Sequence, residues 1–137
     1  MKARFIGLLG GMVLLIASTL GLAAQQADIQ GTIDGQFEAF KADDFETAFT
    51  FATPRLQRLF QSPQNFERMV TGGYPMVWRP AGVRYLNLRE ENGALVQTVE
   101  ITDAKGFKHL LDYRMEQTEA GWRIGGVQIL EAPGVAA

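Results

Sequence analysis

The sequence predicts an α+β domain in which N-terminal helices cover one face of a curved, four-stranded antiparallel meander. Three observations carry this expectation. Between residues 27 and 70, apolar side chains recur at helical spacings of three and four, punctuated by cap-and-proline starts. Beyond Pro75 the pattern changes to four runs rich in β-branched and aromatic residues, joined by short turn signals. The last run, Gly121-Trp122-Arg123-Ile124-Gly125-Gly126-Val127-Gln128-Ile129-Leu130, changes phase halfway along. A bulge at the glycine pair, with glycine in the left-handed region, would put Trp122, Ile124, Val127 and Ile129 on one buried face and bend the strand.

The helices follow in order. Ile29, Ile33, Phe37 and Phe40 form one stripe between Ala27 and Lys41. Asp43, three residues before Glu46, fits a capping box for a second helix whose buried face is Phe45, Ala48, Phe49 and Ala52. Thr53-Pro54 and Ser62-Pro63 each place a cap hydroxyl before a proline at the first helical position. Leu56, Leu59 and Phe60 follow the first start, and Phe66, Met69 and Val70 the second. Gly72-Gly73 and Pro75 stop the series. Such short helices do not persist alone and need the sheet to pack on.

The strands are expected near Val83–Glu90, Ala94–Thr102, Phe107–Gln117 and Trp122–Leu130. Asn92-Gly93 is a tight-hairpin signal, and Asp103–Gly106 and Glu119–Gly121 suit slightly longer loops. On the third strand Phe107, His109, Leu111, Tyr113 and Met115 share a dry face. Lys108, Asp112, Arg114 and Glu116 occupy a wet one, with Asp112 and Glu116 expected to pair with Lys108 or Arg114.

Export is written into the first residues. Lys2 and Arg4 precede an apolar or small-residue run from Phe5 to Leu22, and Gly21-Leu22-Ala23 supplies small residues for cleavage. Residues 1–23 are therefore expected to be a signal peptide and the product periplasmic or secreted from a bacterium. A membrane contact is expected only if the segment is left uncleaved, since roughly 20 apolar residues span a bilayer. Residues 132–137 read as a flexible tail.

The chain has thirteen Lys and Arg, fifteen Asp and Glu, and no cysteine. Losing Lys2 and Arg4 leaves a net charge of about −4, which gives no general attraction to nucleic acid. Disulfides and thiolate–metal sites are excluded. With a single histidine and no oxygen-ligand spacing, neither a metal nor a cofactor is expected. About 113 residues after cleavage suffice for one cored domain.

Helices followed by a bent meander ending in Gly121-Trp122-Arg123-Ile124 resemble the nuclear transport factor 2-like (cystatin-like) superfamily of cone-shaped α+β domains. Ala42-Asp43-Asp44-Phe45-Glu46-Thr47-Ala48-Phe49 resembles the turn between that superfamily's first two helices. Residues 27–131 are more closely similar to a family of small exported bacterial proteins known as a domain of unknown function. The stretches that carry this similarity are Asp43–Phe49, Gly73-Tyr74-Pro75-Met76-Val77-Trp78-Arg79-Pro80 and Gly121–Ile124. The resemblance implies a fold and no activity. The short strand or hairpin that many superfamily members insert before the third helix has no counterpart here.

Enzymes of the superfamily place an Asp, His or Tyr in the pocket between sheet and helices, but their catalytic positions find no residue-by-residue match here, so no catalytic residue is assigned. Periodicity puts His109 and Tyr113 on the dry face, as candidates for contact with a ligand. The plainer alternatives are a histidine at the strand's end, solvated or bonded to backbone, and a core tyrosine with a satisfied tip. Tyr74, Trp78 and Arg79 lie in a proline-restricted segment that suits a pocket lip, a partner-binding edge or a rigid crossover. The expected function is a non-catalytic module, monomeric or homodimeric, that binds a small apolar ligand or an envelope protein. The alternative is an isomerase- or dehydratase-like enzyme using His109 or Tyr113 on a small hydrophobic substrate.

Overall fold

The computed structural model describes the backbone of residues 2–130 and the side chains of residues 21–130. The expected tail, and the side chains of the export segment through residue 20, lie outside the described residues. The elements run α1 (Lys2–Lys41), α2 (Phe45–Thr50), α3 (Pro54–Phe60), α4 (Pro63–Gly73), α5 (Pro75–Trp78), then β1 (Gly82–Glu91), β2 (Ala94–Thr102), β3 (Lys108–Thr118) and β4 (Gly121–Leu130). The strands form one sheet in the order β1-β2-β3-β4, every neighbouring pair antiparallel. This is the expected α+β meander.

The stripe Ile29, Ile33, Phe37 and Phe40 is buried as read, on a helix that continues back to Lys2. It packs with Phe45, Phe49, Phe66 and Val70 on the inner sheet face, where Val99, Ile101, Leu111, Tyr113, Met115 and Ile124 are buried. Phe66 sits among the rings of Phe40, Phe49 and Phe60, with centroids 5.4–5.9 Å away. Thr53 and Ser62 cap α3 and α4 through Oγ1 and Oγ, which accept from the Leu56 and Asn65 amides at 3.2 and 3.1 Å.

The cap of α2 differs from the expectation by one residue. Asp44, not Asp43, accepts from the Thr47 amide at 3.1 Å and the Thr47 hydroxyl at 2.6 Å. Asp43 instead ends α1. Its φ is 54°, and the amides of Asp43 and Asp44 donate to the carbonyls of Phe40 and Ala39. This is a Schellman closure with an aspartate where glycine is usual. Two further corrections concern the helices. Leu59 is exposed, and Pro75 opens the one-turn helix α5 rather than only marking a stop.

The phase break in β4 is a bulge at Gly125. Met115 pairs with Ile124 and Arg114 with Gly126, leaving Gly125 as the extra residue. Trp122, Ile124, Val127 and Ile129 therefore face the same way as Met115, Tyr113 and Leu111. The expected left-handed glycine is absent, because neither Gly125 nor Gly126 has a positive φ. Glycine at 125 gives room instead: a β-carbon there would overlap the Glu116 carboxylate and oblige that side chain to move. Ile129 shares the face but is 41% exposed, so the bulge restores its phase without burying it. A second bulge, in β1, falls between Tyr85 and Leu88. Gln97, fully buried opposite it, donates to the Leu86 and Asn87 carbonyls at 3.1 and 3.2 Å. Asn92 and Gly93 have φ of 51° and 79°, as a tight primed hairpin demands.

The edge of β4 is tied to the helical layer. Ile124 donates to Phe51 O and accepts from the Thr53 amide, both at 2.8 Å. Thr32, Arg55 and Tyr74 donate from their side chains to the carbonyls of Trp122, Gly125 and Val127 at 3.1, 3.1 and 3.0 Å.

Charged side chains occupy the outer sheet face, with partners other than those expected. Asp112 is held by Arg89 at 2.7 Å and by the Thr98 hydroxyl at 2.6 Å, and Lys108 pairs with Glu100 at 3.4 Å. Glu116 lies 3.8 Å from Arg55. Arg89 reaches Asp112 from β1 across β2, and Glu100 meets Lys108 from the neighbouring strand, because side chains of different strands share this face.

Candidate functional site

Between the helices and the inner sheet face lies a cavity of about 260 Å³. Phe40 of α1, Phe66 and Val70 of α4, and Val77 of α5 wall it on the helical side. Tyr113, Ile124 and Val127 form the sheet side. Half-buried Leu56 and Phe60 of α3 and Met69 of α4 complete the helical lining. The cavity exists because α3 is short and buries no side chain fully, so it roofs the sheet without filling the space beneath.

The lining is apolar except for three side chains. Gln36, 6% exposed, donates through Nε2 to the Ala48 carbonyl at 3.1 Å. Its Oε1 pairs with none of the described residues. Tyr113 is 1% exposed, stacks edge-on against Phe37, and its hydroxyl likewise has no partner among the described residues. Burial pushes the Tyr113 hydroxyl's pKa well above its ordinary value of 10, and nearby Tyr74 adds to the rise. At neutral pH it is a neutral phenol. Tyr74 spends its own proton on Val127 O at the cavity edge. Among the described residues, no carboxylate, imidazole, ammonium or guanidinium belongs to the lining.

The five residues singled out from sequence thus divide. Tyr74 and Tyr113 meet at the cavity, while His109, Trp78 and Arg79 do not line it. His109 is on the inner face by alternation but at the strand's end, half-buried, with Nε2 2.8 Å from Asp103 Oδ2. That contact, followed by the amides of Phe107 and Lys105, holds the Asp103 carboxyl below its usual range. Phe107, expected on the dry face, precedes β3 and is 66% exposed.

Trp78 and Arg79 build a clamp at the end of α1. The Trp78 indole donates to Asp43 Oδ1 at 2.9 Å, and Arg79 donates to the same oxygen at 2.7 Å. Arg79 also donates to Phe40 O at 3.0 Å and lies over the Trp78 ring at 4.5 Å. The indole first and the guanidinium second hold Asp43 below the ordinary 3.8. The Tyr74–Pro80 segment is a crossover fastened to α1.

Sequence reasoning missed Gln36 and Gln97. Both interrupt apolar patterns: Gln36 falls three residues after Ile33 and four before Phe40, and Gln97 stands between Leu95 and Val99 on the inner face. Gln97 Oε1 is buried and unpaired among the described residues, outside the cavity lining.

A family model described as Domain of unknown function (DUF4864) matches residues 22–137. The chain belongs to this family. Among described residues, the DUF4864 domain has no group of three or more metal-ligating side chains and no helix long and apolar enough to cross a membrane. No curated protein and no solved structure matches the chain.

Proposed function

We propose that this DUF4864 protein is an exported, nuclear transport factor 2-like binding module that holds a small, mostly apolar molecule in the cavity between helices and sheet. The observation that carries this reading is the cavity's lining: apolar walls, a few placed polar groups and no ionisable acid–base pair. At about 260 Å³ it lies just under the range of roughly 300–1,000 Å³ common for small-molecule sites, so the ligand is small. The superfamily assignment is supported by the order of elements, helices before a bulged meander. Export is supported by the basic start, apolar run and small residues of the first 23 positions.

The isomerase- or dehydratase-like alternative has less to work with. In the cavity it would rely on Tyr113, whose raised pKa makes it a hydrogen-bond donor and a poor source of base. An envelope partner protein has no comparable feature in its favour.

Native mass spectrometry of the protein recovered from its own envelope fraction tests the proposal. The expected result is a wild-type species with one retained small molecule that the cavity-filling variant Ala52→Leu loses. Only ligand-free mass from the wild type, under conditions that preserve a known weak complex, would overturn it.

A further inference from the structure

The geometry points to a neutral ligand of roughly ten carbon atoms carrying one hydroxyl group, received between Gln36 and Tyr113. The size follows by proportion from an apolar cavity of about 150 Å³ that takes benzene. The inference rests on the cavity being the binding site.

The hydroxyl follows from what each polar group has left to offer. A backbone carbonyl can only accept, so the Gln36–Ala48 contact fixes the amide with Nε2 as donor and leaves Oε1 as an acceptor. Tyr113 offers a proton and has no described acceptor for it. Both groups are more than nine-tenths buried and line the same cavity. Neither atom is sealed from open space as Gln97 Oε1 and Glu116 Oε2 are, so water can serve both in the empty cavity, and a ligand that displaces that water binds better if it pairs both than if it pairs neither.

A hydroxyl both accepts and donates, so it matches the proton of Tyr113 and the acceptor Oε1 of Gln36. A ketone accepts from Tyr113 but gives Gln36 nothing. A carboxylate has no proton for Gln36 and finds no cation in the lining, so burying its charge is uncompensated. Selectivity is therefore expected in the order alcohol, ketone, carboxylate. A site built to pair a hydroxyl discriminates against analogues that lack one because its own buried groups go unpaired.

Isothermal titration of the full chain at pH 7 with 1-octanol, 2-octanone and octanoate tests this. The expected result is an alcohol affinity about tenfold above that of the ketone, with the carboxylate weaker still. Gln36→Leu should bring the alcohol down to the ketone's level, and Tyr113→Phe should weaken alcohol and ketone alike by about tenfold. Because Gln36 also braces Ala48, its variant is read only if its melting is cooperative. The wild-type series and Tyr113→Phe stand without it. Equal affinity for alcohol and ketone, or a preference for octanoate, overturns the hydroxyl assignment and leaves the cavity reading intact. Binding of none of the three, or binding that Ala52→Leu leaves unchanged, overturns both.

Discussion

At the end of α1, one aspartate oxygen takes donors from Trp78 and Arg79, and Arg79 adds a bond to the Phe40 carbonyl. One turn earlier on the same helix, Gln36 enters a cavity where its carbonyl oxygen and the Tyr113 hydroxyl have no partner among the described residues. The two regions share Phe40, whose carbonyl serves the clamp and whose ring walls the cavity. The difference separates polar groups that hold the fold from polar groups kept for something else. The clamp's groups are exposed and paired with one another, whereas in the cavity Gln36 pairs through Nε2 alone and the Tyr113 hydroxyl pairs with none of the described residues. By composition alone the clamp, with its Trp, Arg and Asp, looks the more functional of the two.

The comparison breaks most visibly at Phe66, where cavity wall and core coincide. Phe66→Ala removes a buried ring packed on three others, and urea denaturation should show a loss of about 3–5 kcal/mol. A much smaller loss would mean that the cavity extends through this ring and that the core stands without it. At the clamp, two substitutions sharpen the contrast. Both Asp43→Ala and Asp43→Gly remove the carboxylate, but only glycine suits the φ of 54°. Thermal melting should therefore rank wild type first, glycine next and alanine last, with ligand affinity unchanged in both variants. Lost affinity in either would show that the clamp shapes the cavity.

The smallest expected effect is that of pH. Asp43 and Asp103 have folded-state pKa values lowered below 3.8, so their contribution is complete above the ordinary carboxylate value and disappears as pH falls through the lowered ones. Stability should decline in acid, below about pH 4. Cavity affinity for 1-octanol should stay flat from pH 5 to 8, because no described lining residue titrates there. A step in that affinity over this range would implicate an ionisable group outside the lining.

Much of the fold was legible because local signals agreed. Asn92-Gly93 marks a hairpin that forms, the Thr53-Pro54 and Ser62-Pro63 starts are real caps, and the phase break in β4 is a bulge. The errors arose where neighbouring residues share a chemistry. Asp43 and Asp44 can both cap, and only the backbone conformation at 43 decides between them. Alternation placed His109 on the inner face correctly, but it carries no information about how far along the strand the helices reach. Gln36 went unread for a related reason. A single glutamine on an apolar stripe has no motif, and only the packed structure shows that one end of its amide is satisfied and the other is not. The bulge in β1 was visible in principle, since Val83, Tyr85 and Leu88 break alternation as the residues of β4 do.

The ties along β4 have a consequence for how copies of this molecule meet. An uncovered edge strand is a template on which another chain can add a strand, and natural proteins guard such edges. Here the carbonyls of Trp122, Ile124, Gly125 and Val127 already accept from Thr32, Thr53, Arg55 and Tyr74, donors drawn from α1, the start of α3 and the α4–α5 junction. Strand addition at β4 would first have to peel those helices away. Edge-to-edge growth of the sheet is thus hindered along Trp122–Val127, and at the other edge Arg84, Arg89, Glu90 and Glu91 of β1 make a flat, dry pairing costly.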